Sequence, residues 1–162
     1  MKSLIMYYSH SGNIARIARK MYQALQAKGS ADLKELRHSD SKRYEIRHLL
    51  ARFFPALTEL SEDLPDISQC DLICLGCPVW AGKPAPLALK FLSYLRDIQG
   101  KGIVYFQVYG IEESGDRAIK YVEKILKARK PASIRTLNIA FKEAHDEQKI
   151  DLVIKNLVER II

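Results

Sequence analysis

Three short stretches of this chain place side chains and backbone groups where chemistry could be done. The first is Tyr8-Ser9-His10-Ser11-Gly12-Asn13-Ile14, which passes from an apolar run straight into a helical pattern. Two hydroxyls, a glycine able to take positive φ and the free N–H groups of a helix start converge there. Such donors, with the positive end of the helix dipole, suit a phosphate monoester. The same residues also fit a plain strand-to-helix turn with Ser11 or Asn13 as N-cap. There is no Walker lysine–Ser/Thr pair and no glycine triplet, so a nucleoside triphosphate or a dinucleotide fits poorly. No acidic pair closes the first apolar run, which disfavours a phospho-receiver site.

The second stretch is Gly76-Cys77-Pro78-Val79-Trp80-Ala81-Gly82-Lys83-Pro84, which carries the sole tryptophan between proline and glycine. Indole offers a flat, polarizable wall to a planar ring, and Gly82 lets a ligand approach the backbone closely. A tryptophan that merely covers the end of a sheet fits the same residues. The third stretch, Val108-Tyr109-Gly110, again ends an apolar run with an aromatic and a glycine, followed by Glu112, Glu113, Ser114 and Gly115.

These stretches need a frame that brings them together. Apolar runs at Ser3–Tyr8, Asp32–Leu36, Leu72–Gly76, Gly102–Val108 and Ile134–Ala140 read as strands. The first, third and fourth are nearly continuous in apolar residues, as parallel strands covered on both faces are. Between them lie helical patterns. Ile14, Ile17, Ala18, Met21, Tyr22 and Leu25 form one apolar stripe, with Gly29 as a stop. Pro84 to Tyr94, with Leu87, Leu89, Phe91 and Leu92, predicts another, its prolines placed where a helix starts. Ile119, Val122, Ile125 and Leu126 mark a further helix, and Leu152, Val153, Leu157 and Ile161 the last. Five strands alternating with helices predict a three-layer α/β sandwich with a parallel sheet and helices on both faces. In such a sheet ligands sit beyond the carboxyl ends of the strands, where the strand order reverses. The stretch from Arg37 to Ser68 breaks the rhythm; within it Arg43 to Phe54 reads as a helix stopped before Pro55.

At 162 residues the chain reads as one domain, residues 1–162, with 48% hydrophobic and 28% charged residues. No signal peptide and no membrane span is legible, which predicts a cytoplasmic protein. The net charge of +7 favours anionic partners without choosing among them. The three cysteines, Cys70, Cys74 and Cys77, have a spacing that an iron–sulfur cluster could use, but the middle one falls inside an apolar strand whose side chains alternate. His38, His48 and His145 lack metal-ligand spacing, no nucleophile-elbow pattern surrounds Ser9 or Ser11, and aromatics are not interleaved with basic residues. Metal, hydrolytic and nucleic-acid functions are therefore not expected.

Taken together, YYSHSGNIARIA and LICLGCPVWAGKPAPLALKFL resemble the phosphate loop and the second flavin loop of the flavodoxin-like superfamily. The resemblance spans most of the chain and is strongest over residues 4–18 and 72–92. It implies strand order 2-1-3-4-5 and non-covalently held FMN used in electron transfer. Ser9, Ser11 and the backbone of Gly12, Asn13 and Ile14 would bind the phosphate; His10 could add a cation near it or be a solvated loop histidine. Pro78, Val79, Trp80, Ala81 and Gly82 would border the isoalloxazine, Trp80 stacking on it, and Tyr109 and Gly110 its other side or pyrimidine edge. The chain departs from the family at Ile14, where threonine is usual, and in its basic charge, since these carriers are typically acidic. Arg117, Lys120, Lys124 and Lys127 fall on one helix face and could meet an acidic redox partner. An NAD(P)H-dependent quinone or flavin reductase and a cofactor-free binding module are the competing expectations, as monomer or homodimer.

Overall fold

The structure is a computed structural model and describes residues 1–37 and 64–161. The chain runs β1 (Lys2–Tyr7), α1 (Asn13–Gln26), β2 (Ser30–Glu35), β3 (Leu72–Trp80), β4 (Lys83–Pro84), α2 (Pro86–Tyr94), β5 (Gly102–Tyr109), α3 (Glu112–Lys127), β6 (Ser133–Ala140) and α4 (Glu147–Glu159). The helix expected over Arg43–Phe54 lies outside the described residues. No helix among the described residues is long and apolar enough to cross a membrane.

The sheet has the order β2-β1-β3-β5-β6, each neighbouring pair parallel. This is the order 2-1-3-4-5 expected of five parallel strands. The strands at its centre are apolar on both faces because helices cover both. On one side α1 and α4 pack Ile14, Ile17, Met21, Ile150 and Ile154 against Ile5, Cys74, Val104 and Phe106. On the other, α2 and α3 pack Leu87, Phe91, Val122 and Leu126 against Met6, Leu75, Cys77 and Tyr105. Alternation along each strand therefore splits the apolar set into two separate cores. The C-terminal end of α2 is held from the α3–β6 connection: the Arg129 guanidinium donates to the carbonyls of Leu92 and Leu95, the latter at 2.8 Å.

Three expectations need correction. The third strand does not stop at Gly76: it continues through Pro78, Val79 and Trp80 and turns back as β4, with Val79 opposite Pro84 and Trp80 opposite Lys83. Pro78 stands opposite Val108 at the last pair of the β3–β5 ladder, and its carbonyl accepts from the Ala85 N–H at 3.1 Å. In consequence the next helix begins at Pro86, in its first turn, and not at Pro84. The stripe of α4 is phased differently, with Ile150, Ile154, Leu157 and Val158 buried, while Leu152 is 58% exposed. Ile150, Ile154, Leu157 and Val158 keep the helical spacing that Leu152 and Val153 interrupt.

Cys74 belongs to the α1/α4 core, whereas Cys70 and Cys77 belong to the α2/α3 core. Their side chains leave the sheet on opposite faces. Burial pushes the Cys77 thiol up to about 11, against a favourable contact with the Tyr105 hydroxyl at 3.3 Å. Burial raises Cys70 and Cys74 as well. All three are accordingly expected to stay silent toward Ellman's reagent near pH 8 in the folded protein and to react fully in denaturant. A rapidly reacting thiol in the native state would contradict this burial.

Gly76 lies opposite Phe106 in the ladder, and a methyl group there would come within 2.1 Å of the Phe106 ring. That ring is fully buried and has no room to retreat. Gly76→Ala should cost about 1–3 kcal/mol through overpacking, seen as a lower urea midpoint at unchanged m-value. Adding Phe106→Leu should recover part of the loss; strict additivity of the two changes would argue against direct contact.

Candidate functional site

The chain leaves β1 toward β2 on one side and returns to β3 on the other, so the order reverses between β1 and β3. Loops leaving the carboxyl ends of those two strands diverge and open a crevice. The Tyr8 N–H donates to the Gly76 carbonyl (2.9 Å), extending the β1–β3 ladder just past the end of β1. The residues that follow on each strand are the first and second of the stretches singled out by sequence.

The loop from Ser9 to Gly12 feeds α1. Gly12 is the N-cap, at φ 85, and no side chain caps from that position. Neither Ser11 nor Asn13 is the N-cap, because left-handed backbone is needed there and glycine adopts it without strain. The first helical bond runs from the Arg16 N–H to the Gly12 carbonyl at 3.0 Å, and the Ala15 N–H donates to Ser9 Oγ at 3.2 Å. The N–H groups of Gly12, Asn13 and Ile14 are left without an acceptor among the described residues. A Cβ built on Gly12 meets nothing within 4 Å among the described residues, so the space beside Gly12 itself is open. His10, Ser11 and Gly12 are exposed, whereas Asn13 is 5% and Ile14 2% exposed. Ile14 turns its side chain into the α1/α4 core and offers the loop only its amide.

The first turn of α1 contains no acidic residue, so its positive dipole end is not neutralised from within. Arg16, one turn along, is committed elsewhere. Its guanidinium donates to the Ala144 carbonyl and meets the Glu147 carboxylate at 3.4 Å. These contacts tie α1 to the β6–α4 connection, a role that no sequence spacing signals.

Trp80 ends β3 and is half-buried, less open than the sequence suggests. Its indole meets the Tyr8 ring edge-on at 5.8 Å and the His10 imidazole at 6.0 Å. The structure thus brings Trp80 to the phosphate-type loop. The turn that follows, Ala81-Gly82, has φ 49 and 75. Positive φ at both central residues of a two-residue hairpin is the type I′ geometry that matches strand twist. Gly82 is buried against Arg117: a Cβ there would lie 3.1 Å from the guanidinium Nε. Pro78 and Val79 are half-buried beside the hairpin, and Ala81 is exposed.

Tyr109 ends β5, and its ring rests on Gly115 of α3, where a Cβ would come within 2.7 Å of it. Desolvation raises its hydroxyl above the usual range, helped by Glu112, Glu143 and Asp116. Gly110 is exposed, with open space where a Cβ would stand. The start of α3 is fixed by an amide network, anchored on the buried Gln107, that sequence reading missed. Gln107 Nε2 donates to the Gly115 carbonyl at 2.7 Å and to Asn138 Oδ1 at 2.8 Å, and Asn138 Nδ2 donates to Asp116 at 3.1 Å. A lone glutamine inside an apolar run was the one signal of it. A groove of about 480 Å³ between α1 and α4, lined by Lys20, Lys28, Asp151 and Lys155, lies apart from this edge. Lys20 is already paired there with Asp151 and Glu147 (2.5 and 2.7 Å), and no reactive set converges on it.

No family model and no curated protein matches the chain. Solved structures do. A flavoprotein in complex with FMN from Lactobacillus acidophilus NCFM is 21% identical, with a TM-score of 0.63 over 91% of this chain and 97% of its own. Flavodoxin 2 from Bacillus cereus is 24% identical, with a TM-score of 0.65 over 98% of this chain and 95% of its own. Megasphaera elsdenii flavodoxin is 18% identical, with a TM-score of 0.65 over 97% and 98%. Strand order, covering helices and these likenesses agree: the chain has the flavodoxin-like fold.

Proposed function

We propose that the chain binds FMN non-covalently in the β1/β3 crevice and serves in electron transfer. The observation that carries this reading is the set of three amides, Gly12, Asn13 and Ile14, that have no acceptor among the described residues at the start of α1. A phosphate dianion suits them: each amide donates one hydrogen bond, and the helix dipole adds its positive end. Ser9 Oγ already accepts from Ala15, yet keeps its own proton to donate; the exposed Ser11 hydroxyl supplies another donor. Loss of a hydroxyl at Ile14 removes one donor and leaves the amide set intact.

Pro78, Val79, Trp80, Ala81 and Gly82 form the wall for the ring system, with Tyr109 and Gly110 on the neighbouring strand end. The edge-on contacts from Tyr8 and His10 fix the plane of Trp80 before any ligand arrives, which lowers the entropy cost of stacking. Bound there, FMN supplies a redox centre that accepts and returns electrons. The chain binds it, orients it and shields it from water; no side chain of the crevice is assigned acid or base work. The fold similarity to an FMN-bound flavoprotein supports the same reading.

Titration of FMN into the protein should quench its fluorescence, and riboflavin, which lacks the phosphate, should bind at least about a hundredfold more weakly. Equal affinity for the two would remove the amide site from the reading, and no quenching of either would remove the cofactor. Trp80→Ala should weaken FMN about tenfold or more, a stacking loss of ~1–3 kcal/mol. Ser9→Ala should lower stability by about 1 kcal/mol, through the lost cap on Ala15, and should weaken FMN more than riboflavin. Steady oxidation of NADPH with a quinone by the loaded protein would assign a reductase in place of a carrier.

A further inference from the structure

Several cations of this chain are held by nearby acids. Arg16 and Lys20 meet Glu147, Lys20 also meets Asp151, Arg37 meets Glu35, Lys127 meets Glu123 and Lys149 meets Glu143. Lys28, Lys130, Arg135, Lys142 and Lys155 have no such partner among the described residues and are scattered, whereas Lys83, Arg117, Lys120 and Lys124 cluster on one face. All four are exposed, and none has an acid within ion-pair distance among the described residues. Arg117, Lys120, Tyr121 and Lys124 share one side of α3 by helical spacing. The β3–β4 hairpin joins them. Lys83 Nζ stands 5.9 Å from the centre of the Tyr121 ring, and Arg117 packs on Gly82. Four unpaired cations thus surround Tyr121, which is 40% exposed. Lys127, expected to belong to this face, is withdrawn from it by Glu123 at 2.7 Å.

We infer that this face, Lys83 with Arg117, Lys120, Tyr121 and Lys124, docks a small acidic redox protein. An exposed aromatic ringed by charges is the usual anatomy of a protein-binding patch, with the ring as anchor and the charges as rim. The unpaired cations complement carboxylates and speed encounter. A nucleic-acid strand is the poorer occupant. Running along α3 it would meet the exposed Glu112, Glu113 and Asp116 of the first turns, whereas a folded partner can cover the cationic turns alone. The site also has a place in the redox reading. Lys83 is the ladder partner of Trp80, so a protein seated on Lys83 comes to rest beside the proposed flavin wall. The inference rests on the flavin reading for its purpose, while its contacts stand independently of it.

The test is calorimetric titration of an oxidised plant-type ferredoxin, a small acidic iron–sulfur protein, into the full chain with and without FMN. Binding is expected at low ionic strength and is expected to vanish near 1 M salt, where the Debye length falls to about 3 Å. Lys120→Glu with Lys124→Glu should weaken it at least about tenfold. Lys28→Glu with Lys155→Glu, an equal change of net charge beside α1 and α4, should leave affinity within about twofold. Equal weakening by both pairs would overturn the inference, since net charge alone would then account for it. So would the absence of ferredoxin binding at low salt, or tighter binding of oligothymidylate or anionic vesicles than of ferredoxin to the same lysines. Ferredoxin binding with this pattern in a chain that ignores FMN would sustain the docking face and sink the flavin reading, so the two failures are separable.

Discussion

The hydrogen bond from the Tyr8 N–H to the Gly76 carbonyl sets the geometry on which the candidate site depends. It keeps β1 and β3 in register just past the end of β1, so the two chains separate at one defined point. From there Ser9 to Gly12 bend into α1, while β3 continues to Trp80. The edge-on packing of Trp80 on Tyr8 and His10 follows from that common origin. Were the ladder to open one residue earlier, the loop amides and the indole would lose their shared reference. A crevice follows from the strand-order reversal itself; its shape depends on where pairing stops.

Two glycines solve opposite problems on either side of this point. Gly76 is required by packing, because the Phe106 ring fills the volume its side chain would take. Gly12 has no neighbour to avoid and is required by its backbone, at φ 85. Left-handed backbone at the N-cap turns the preceding loop away from the helix axis, and this leaves three amides uncovered. Ser9, reaching back to Ala15, satisfies the fourth donor and stops the helix start from fraying. The loop is therefore stable without a ligand and still has hydrogen-bonding capacity left for one.

Parallel strands and their two-sided covering were legible because the apolar runs at β1, β3 and β5 are nearly continuous, while the strand order came from the resemblance. In a chain that alternates with helices, such runs fit little besides parallel strands covered on both faces. The phosphate-type loop was legible for a related reason: hydroxyls and a glycine at a strand-to-helix junction have a direct backbone meaning. The β3–β4 hairpin was not. Pro84 read as a helix start, and no spacing signalled the paired positive φ values of Ala81 and Gly82 that turn the chain back into β4. The phase of α4 was misread because Leu152 is as apolar as Ile150 and Ile154, and periodicity alone cannot choose between adjacent stripes. Contacts between distant segments, such as Arg16 with Glu147 or Gln107 with Asn138, left no mark on local spacing.

The positive charge of the chain acquires a meaning only through its pairing. Along α1, Arg16 and Lys20 are neutralised by carboxylates of α4, so attraction for a phosphate at the start of the helix would come chiefly from amides and the helix dipole. That is a short-range, directional field, suited to fixing one group in one orientation. Lys83, Arg117, Lys120 and Lys124 instead cluster on α3 and the hairpin, exposed to solvent, where their field reaches outward over a Debye length and has little directional preference. Such a field does not hold a small ligand well, because each exposed ammonium is well hydrated and mobile. It acts on a large partner that meets several of them at once. Loop amides proposed for a small anion and exposed cations proposed for a large partner are different groups, so the two proposed recognition tasks do not compete.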